Sequence, residues 1–319
     1  MNHQSTAVAK GILSSSHTAR AVLFPTAMSR IYFLAIAFLV VVLQPTSAAE
    51  MKKDYVRYVG DDKAGKLDTV VVSMKKGDIK LDLIGAVHIA DKSYYSALSG
   101  LFKGYDSLLF ELVDGQRLKE ETEGKKTEPS DKEADPAFAI LRGMMTNLAS
   151  YFKFQYQTEG IDYHSANFVH ADVSFEEFER LQAEKHETFF TLFQKAMRAQ
   201  LAIGTDKNAE PKGGQLLLAL LGDSSGLKVV MARSLASADA LLNAIEGEDG
   251  TAILSERNKV ALRVFEQQVA AGKKNLGIFY GAAHLPDMED RLIKMGYERT
   301  GEKWMTAWDI QPRVQSAAK

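Results

Sequence analysis

The sequence predicts an α/β protein: a mixed sheet that carries a His/Glu site at its strand ends and accommodates a large helical insertion. Three observations predict it. Residues 79–113 read as a strand, a helix and a second strand. Residues from about 136 to 272 are mostly helical in pattern, and strand-like sequence returns at Asn275–Tyr280.

The mature chain, residues 50–319, opens with Tyr55–Val59, Asp68–Met74 and Ile79–Val87, all rich in Val, Ile, Leu and Tyr. Lys75-Lys76-Gly77-Asp78 between the last two is a turn signal, so they are expected to form a hairpin. Asp91–Phe102 then has helical spacing, with Tyr94, Leu98, Leu101 and Phe102 on one side and Gly104 as its stop. Ser107–Val113 is a nearly continuous apolar run of the kind buried on both faces of a parallel sheet. Its strand should therefore run parallel to Ile79–Val87 through a right-handed crossover.

Residues 115–135 are dense in Lys, Glu, Asp and Thr, cannot bury a core, and read as a charged loop. The insertion follows, with helical segments at Phe138–Phe152, Phe175–Leu181, Phe189–Ile203, Gln215–Leu221, Leu235–Ile245 and Ile253–Ala270. Asp172 or Ser174 is placed to cap the second of these, with Glu177 completing a capping box. A last helix, Asp287–Met295, stops at Gly296, and Trp304–Ile310 adds an edge strand.

Residues 1–49 read as a signal peptide: Arg30, the uncharged apolar run Ile31–Leu43, then Ser47-Ala48-Ala49 as a cleavage site. Met28 is an alternative start, because Met28–Ala49 alone makes a compact signal. Thirteen apolar residues are short of the roughly 20 a membrane-spanning helix needs, although an uncleaved anchor through residues 31–43 is the rival reading. The expected location is secreted or periplasmic, with membrane contact only through this segment. A net charge of −2 and no basic stripe argue against a nucleic-acid partner. The absence of cysteine excludes disulfides, thiolate metal sites and a cysteine nucleophile.

Two stretches match at fixed offsets: Gly85-Ala86-Val87-His88-Ile89-Ala90-Asp91 and Gly281-Ala282-Ala283-His284-Leu285-Pro286-Asp287. With 23 glycines and seven histidines in 319 residues, chance gives about half a Gly-x-x-His (23 × 7 / 319), and here the context repeats as well. Each copy follows an apolar strand and opens an amphipathic helix. Gly85 and Gly281 allow a sharp turn or a close approach. His88 and His284 then stand just past the strand ends, where open α/β sheets bind ligands. Asp91 and Asp287 fall in the first helical turn, where a negative charge suits the exposed N–H groups.

Glu111 is a carboxylate at the end of an apolar strand, costly to bury unless paired or bound to a cation. Two histidines and a carboxylate on one rim suit a divalent metal with open positions. His170 and Asp172 are further site candidates, as are Glu256-Arg257-Asn258 at a helix start. His186-Glu187-Thr188-Phe189-Phe190 lacks the second histidine of a zincin helix and is set aside.

These residues resemble the TraB/TIKI/GumN superfamily: two Gly-x-x-His turns, Phe110-Glu111 at a strand end, and Glu256-Arg257-Asn258 before the last long helix. The resemblance covers roughly residues 55–300. It implies an α/β core and, from the TIKI branch, a divalent-metal-dependent protease using manganese or cobalt; zinc is a third choice of metal. It also implies His88, Glu111 and His284 as core site residues, with Arg257 and Asn258 in support. The expected function is an exported metal-dependent hydrolase acting on a peptide or protein. His88 and His284 would bind metal, Glu111 would complete the metal site or act as general base, and Arg257 would stabilise an oxyanion. The alternative is a non-catalytic envelope protein that binds a peptide or signal in the same cleft.

Overall fold

The computed structural model describes residues 54–113, 115, 147–203, 224–247 and 249–312. The signal segment 1–49, nearly all of the charged loop 115–135, and the expected helices at Gln215–Leu221 and over most of Phe138–Phe152 lie outside the described residues; residues 147–152 are helical. No helix among the described residues is long and apolar enough to cross a membrane.

The fold is α/β, built on a seven-stranded mixed sheet. Strands β1 (Val56–Gly60), β2 (Gly65–Lys76) and β3 (Ile79–Ala86) form its antiparallel part. The β2–β3 hairpin turns through Gly77-Asp78, with Lys76 opposite Ile79 and Gly77 at φ 59°, a left-handed value that glycine adopts at low cost. One side of β2 is shared by β1 and β3, and the other pairs with β9 (Glu298–Ile310), longer than the expected Trp304–Ile310. Beyond β3 come three parallel strands: β8 (Asn275–Gly281), β5 (Ser107–Phe110) and β7 (Phe168–His170).

β3 and β5 run parallel as expected, with β8 between them. The stretch expected to be a helical insertion, however, contributes β7 to the main sheet and β6 (Gln155–Tyr156) to a small one with β4 (Ile89–Ala90). Three residues are too few to show a period, so β7 is defined by its pairing with β5 rather than by pattern.

Side chains alternate across the strands and build a core on each face. One face holds Ile84, Ala86, Phe110 and Phe279 under α1 (Lys92–Phe102). The other holds Leu81, Leu83, Leu109, Ile278 and Tyr280 under α7 (Arg257–Ala270) and α8 (Leu285–Lys294). The remaining helices are α2 (Gln157–Gly160), α3 (Phe175–Glu184), α4 (Phe189–Ile203), α5 (Ser224–Ala236) and α6 (Asp239–Glu246). The Ser174 hydroxyl caps α3 by accepting from the Glu177 N–H at 3.1 Å; Asp172 points elsewhere.

Candidate functional site

Strands β3 and β8 run side by side in parallel, so both Gly-x-x-His turns leave the sheet at the same carboxyl edge, with Ala86 opposite Gly281. The glycines are explained by what approaches them. A Cβ on Gly85 would stand 3.2 Å from the Val70 carbonyl oxygen and from Leu285, and 3.3 Å from Ala282, so the first turn makes room for the second. A Cβ on Gly281 would stand 3.3 Å from Glu111 Oε2, and the Gly281 N–H donates to that oxygen at 2.6 Å. Neither residue has a positive φ; closeness, not backbone conformation, selects glycine here.

Glu111 follows the end of β5, next to β8, and is buried. Its Oε1 accepts from Arg257 Nη2 at 2.7 Å and faces His284 Nε2 at 3.5 Å. Burial pushes the carboxyl up, but the Arg257 guanidinium, with His284 and a smaller contribution from His88, outweighs it. Glu111 is held well below the usual carboxylate range.

Arg257 opens α7 after a π-turn (Ala252–Glu256) and is itself buried. It grips Asp172 in bidentate fashion, Nε to Oδ1 at 2.9 Å and Nη2 to Oδ2 at 2.6 Å, while Nη1 reaches the Ile253 carbonyl at 3.3 Å. Four of its five N–H donors are thereby engaged, counting the bond to Glu111. Its position suits holding Glu111 ionised better than reaching a substrate oxygen. Asp172 is the counter-charge that makes a buried arginine affordable.

Asn258, the next residue, organises the second turn. Its Nδ2 donates to Asp287 Oδ2 at 2.8 Å and to the His284 carbonyl at 3.3 Å, which assigns Oδ1 as the acceptor facing His284 Nδ1 at 2.6 Å. The proton on Nδ1 is thus held, and Nε2 is turned toward Glu111. Tyr280 packs edge-on against the same ring at 5.1 Å.

The other expected residues have different places. His88 is exposed at the rim, and its carbonyl accepts from the Gln157 N–H at 2.9 Å. His170 bonds the Leu112 carbonyl through Nε2 at 2.7 Å and lies against Phe110 and Gly115, a bracing role outside the Glu111 cluster. Asp287 lies in the first turn of α8 as expected. Asp91 sits at the N-cap position of α1 but makes no side-chain cap bond; its carboxylate accepts from the Asp309 N–H instead, tying the first turn to β9.

The donors suit a divalent cation in kind: an imidazole nitrogen whose ring partner is fixed by an amide, and an ionised carboxylate beside it. Among the described residues, however, no three His, Asp or Glu side chains are grouped closely enough to hold a metal ion as they stand. Two residues of this rim, Gln157 and Tyr163, carry no motif and gave no sequence signal. Gln157 Nε2 donates to the Tyr163 hydroxyl at 2.9 Å beside the first turn. Compared with family models, curated proteins and solved structures, the chain matches none of them.

Proposed function

We propose that this protein is a divalent-metal-dependent hydrolase of peptide or related acyl bonds, exported through residues 1–49, in keeping with the resemblance to the TraB/TIKI/GumN superfamily. The observation that carries the proposal is the fixed His284 ring, with Nδ1 held by Asn258 and Nε2 3.5 Å from an ionised, buried Glu111. His284 Nε2 and a Glu111 oxygen would bind the metal, with His88 joining from the rim. A bound divalent cation would supply a water of pKa near 7 and polarise the scissile carbonyl.

The geometry favours one of two roles for Glu111. A general base works best with a pKa near the operating pH. Arg257 and the Gly281 N–H engage both Glu111 oxygens, and the carboxyl is held well below that range, so it would serve as the anionic partner of the site rather than as its base. Arg257 keeps it ionised and correctly placed, and the Gly281 N–H fixes its second oxygen.

Thermal melting with manganese, cobalt or zinc chloride tests this. A ligand that binds the native state at 100 times its Kd adds about 2.7 kcal/mol of stability. We expect a rise in Tm with at least one of the three metals, absent in His284→Ala and reduced in His88→Ala. No rise with any of them would refute metal dependence.

A further inference from the structure

We propose that Tyr163 is a further catalytic residue of this hydrolase, its hydroxyl donating a hydrogen bond to the carbonyl oxygen of the scissile group. The inference rests on the hydrolase reading above. Glu111, His284 and Arg257 approach the rim with the α7–α8 face of the sheet, whereas Tyr163 packs with the opposite core, against Phe110 at 5.0 Å and Phe168 at 6.0 Å. Phe110 is the residue before Glu111, so the ring stands at the end of the strand that presents the carboxylate.

Gln157 ties this tyrosine to the first Gly-x-x-His turn. Segment 155–157 lies antiparallel to 88–90, with Ile89 opposite Tyr156, and the Gln157 N–H donates to the His88 carbonyl. The same residue's Nε2 reaches the Tyr163 oxygen. A bond accepted from Gln157 leaves the phenol's own proton to be donated, and no described residue accepts it. The neighbouring Gln157 Oε1 is buried and likewise has no partner among the described residues.

The hydroxyl keeps its proton at neutral pH. Burial pushes its pKa up to about 12, with the Glu111 charge adding to burial and the Gln157 bond opposing it. Tyr163 is buried like His284 and Glu111, and the Glu111 charge acts on its hydroxyl. A neutral donor fixed by its own partner suits a developing oxyanion, because it needs no reorganisation when the charge appears.

The test uses the full mature chain, manganese, cobalt or zinc chloride and a library of random-sequence decapeptides, with cleavage read as new amino groups. Loss of one oxyanion donor typically costs about 10²-fold or more in kcat. Tyr163→Phe should lower kcat by about that factor, leave KM within a few-fold, and keep the metal-induced rise in Tm. Gln157→Met, which only frees the hydroxyl to rotate, should show a smaller loss of the same kind. Tyr105→Phe serves as control, since that hydroxyl bonds Asp82 away from the strand ends. If the wild type cleaves and Tyr163→Phe cleaves equally well, the Tyr163 assignment is overturned while the hydrolase stands. If the wild type releases no amino groups with manganese, cobalt or zinc, the peptidase reading falls and the Tyr163 assignment with it.

Discussion

Arg257→Met would remove a cation that bonds two buried carboxylates at once. Arg257 lies 2.7 Å from Glu111 and 2.6 Å from Asp172, and all three are buried. A charge pair at about 4 Å in a medium of effective dielectric 20 is worth roughly 4 kcal/mol. Methionine recovers the packing of the stem and avoids desolvating a guanidinium, so the net loss is smaller than two such pairs. Removing one member of a buried ion pair typically costs about 3–5 kcal/mol, which we expect here. For a domain of this size that is a fall in Tm of roughly 6–20 °C.

The pH dependence of that loss is more diagnostic than its size. In the wild type the Glu111 carboxyl is held low, so its contribution is present above the unfolded-state pKa and lost as pH falls through the folded one. Without Arg257 the desolvation that now opposes ionisation prevails and the folded pKa rises above the unfolded value. The variant should then lose stability as pH rises through that raised pKa. Urea denaturation at intervals from pH 5 to 8 measures the difference between the two profiles, which cancels the carboxylates they share. Adding Glu111→Gln to Arg257→Met should recover part of the stability and remove the Glu111 contribution to the reversed slope. An Arg257→Met protein within 1 kcal/mol of wild type at pH 7, with a parallel profile, would refute the compensation argument.

The two glycines should respond differently to alanine. Gly281→Ala pushes a methyl toward Glu111 Oε2 at 3.3 Å, so it should change the metal-induced rise in Tm more than the urea midpoint. Gly85→Ala meets the Val70 backbone and packed apolar groups, and should cost about 1–3 kcal/mol in urea denaturation. Ser174→Ala removes the cap of α3 and should cost about 1 kcal/mol, whereas Ser174→Gly should cost only a few tenths.

Much of the candidate site was legible before any fold was known. The paired turns revealed themselves by repetition, and Glu111 by being a charge in an apolar strand. Arg257, Asn258 and Asp172 were visible as candidates, but their roles were not. Asp172 could as well have capped α3, and sequence offers no way to choose between a helix N-terminus and an arginine 85 residues away. His170 was indistinguishable from a ligand until the Leu112 carbonyl was seen beside it.

The sequence by itself determined the α/β class, most strands and helices, and the residue types gathered at one rim, because these follow from hydrophobic period and turn chemistry within a few residues. The tertiary structure decided what touches what. β8 enters between β3 and β5, which sets the second turn beside Glu111 and makes both glycines necessary through close approach. β7, Gln157 and Tyr163 join from a region whose local pattern speaks only of helices. Long-range pairing of this kind depends on which surfaces exclude water together, and that is a property of the assembled sheet rather than of any stretch of chain.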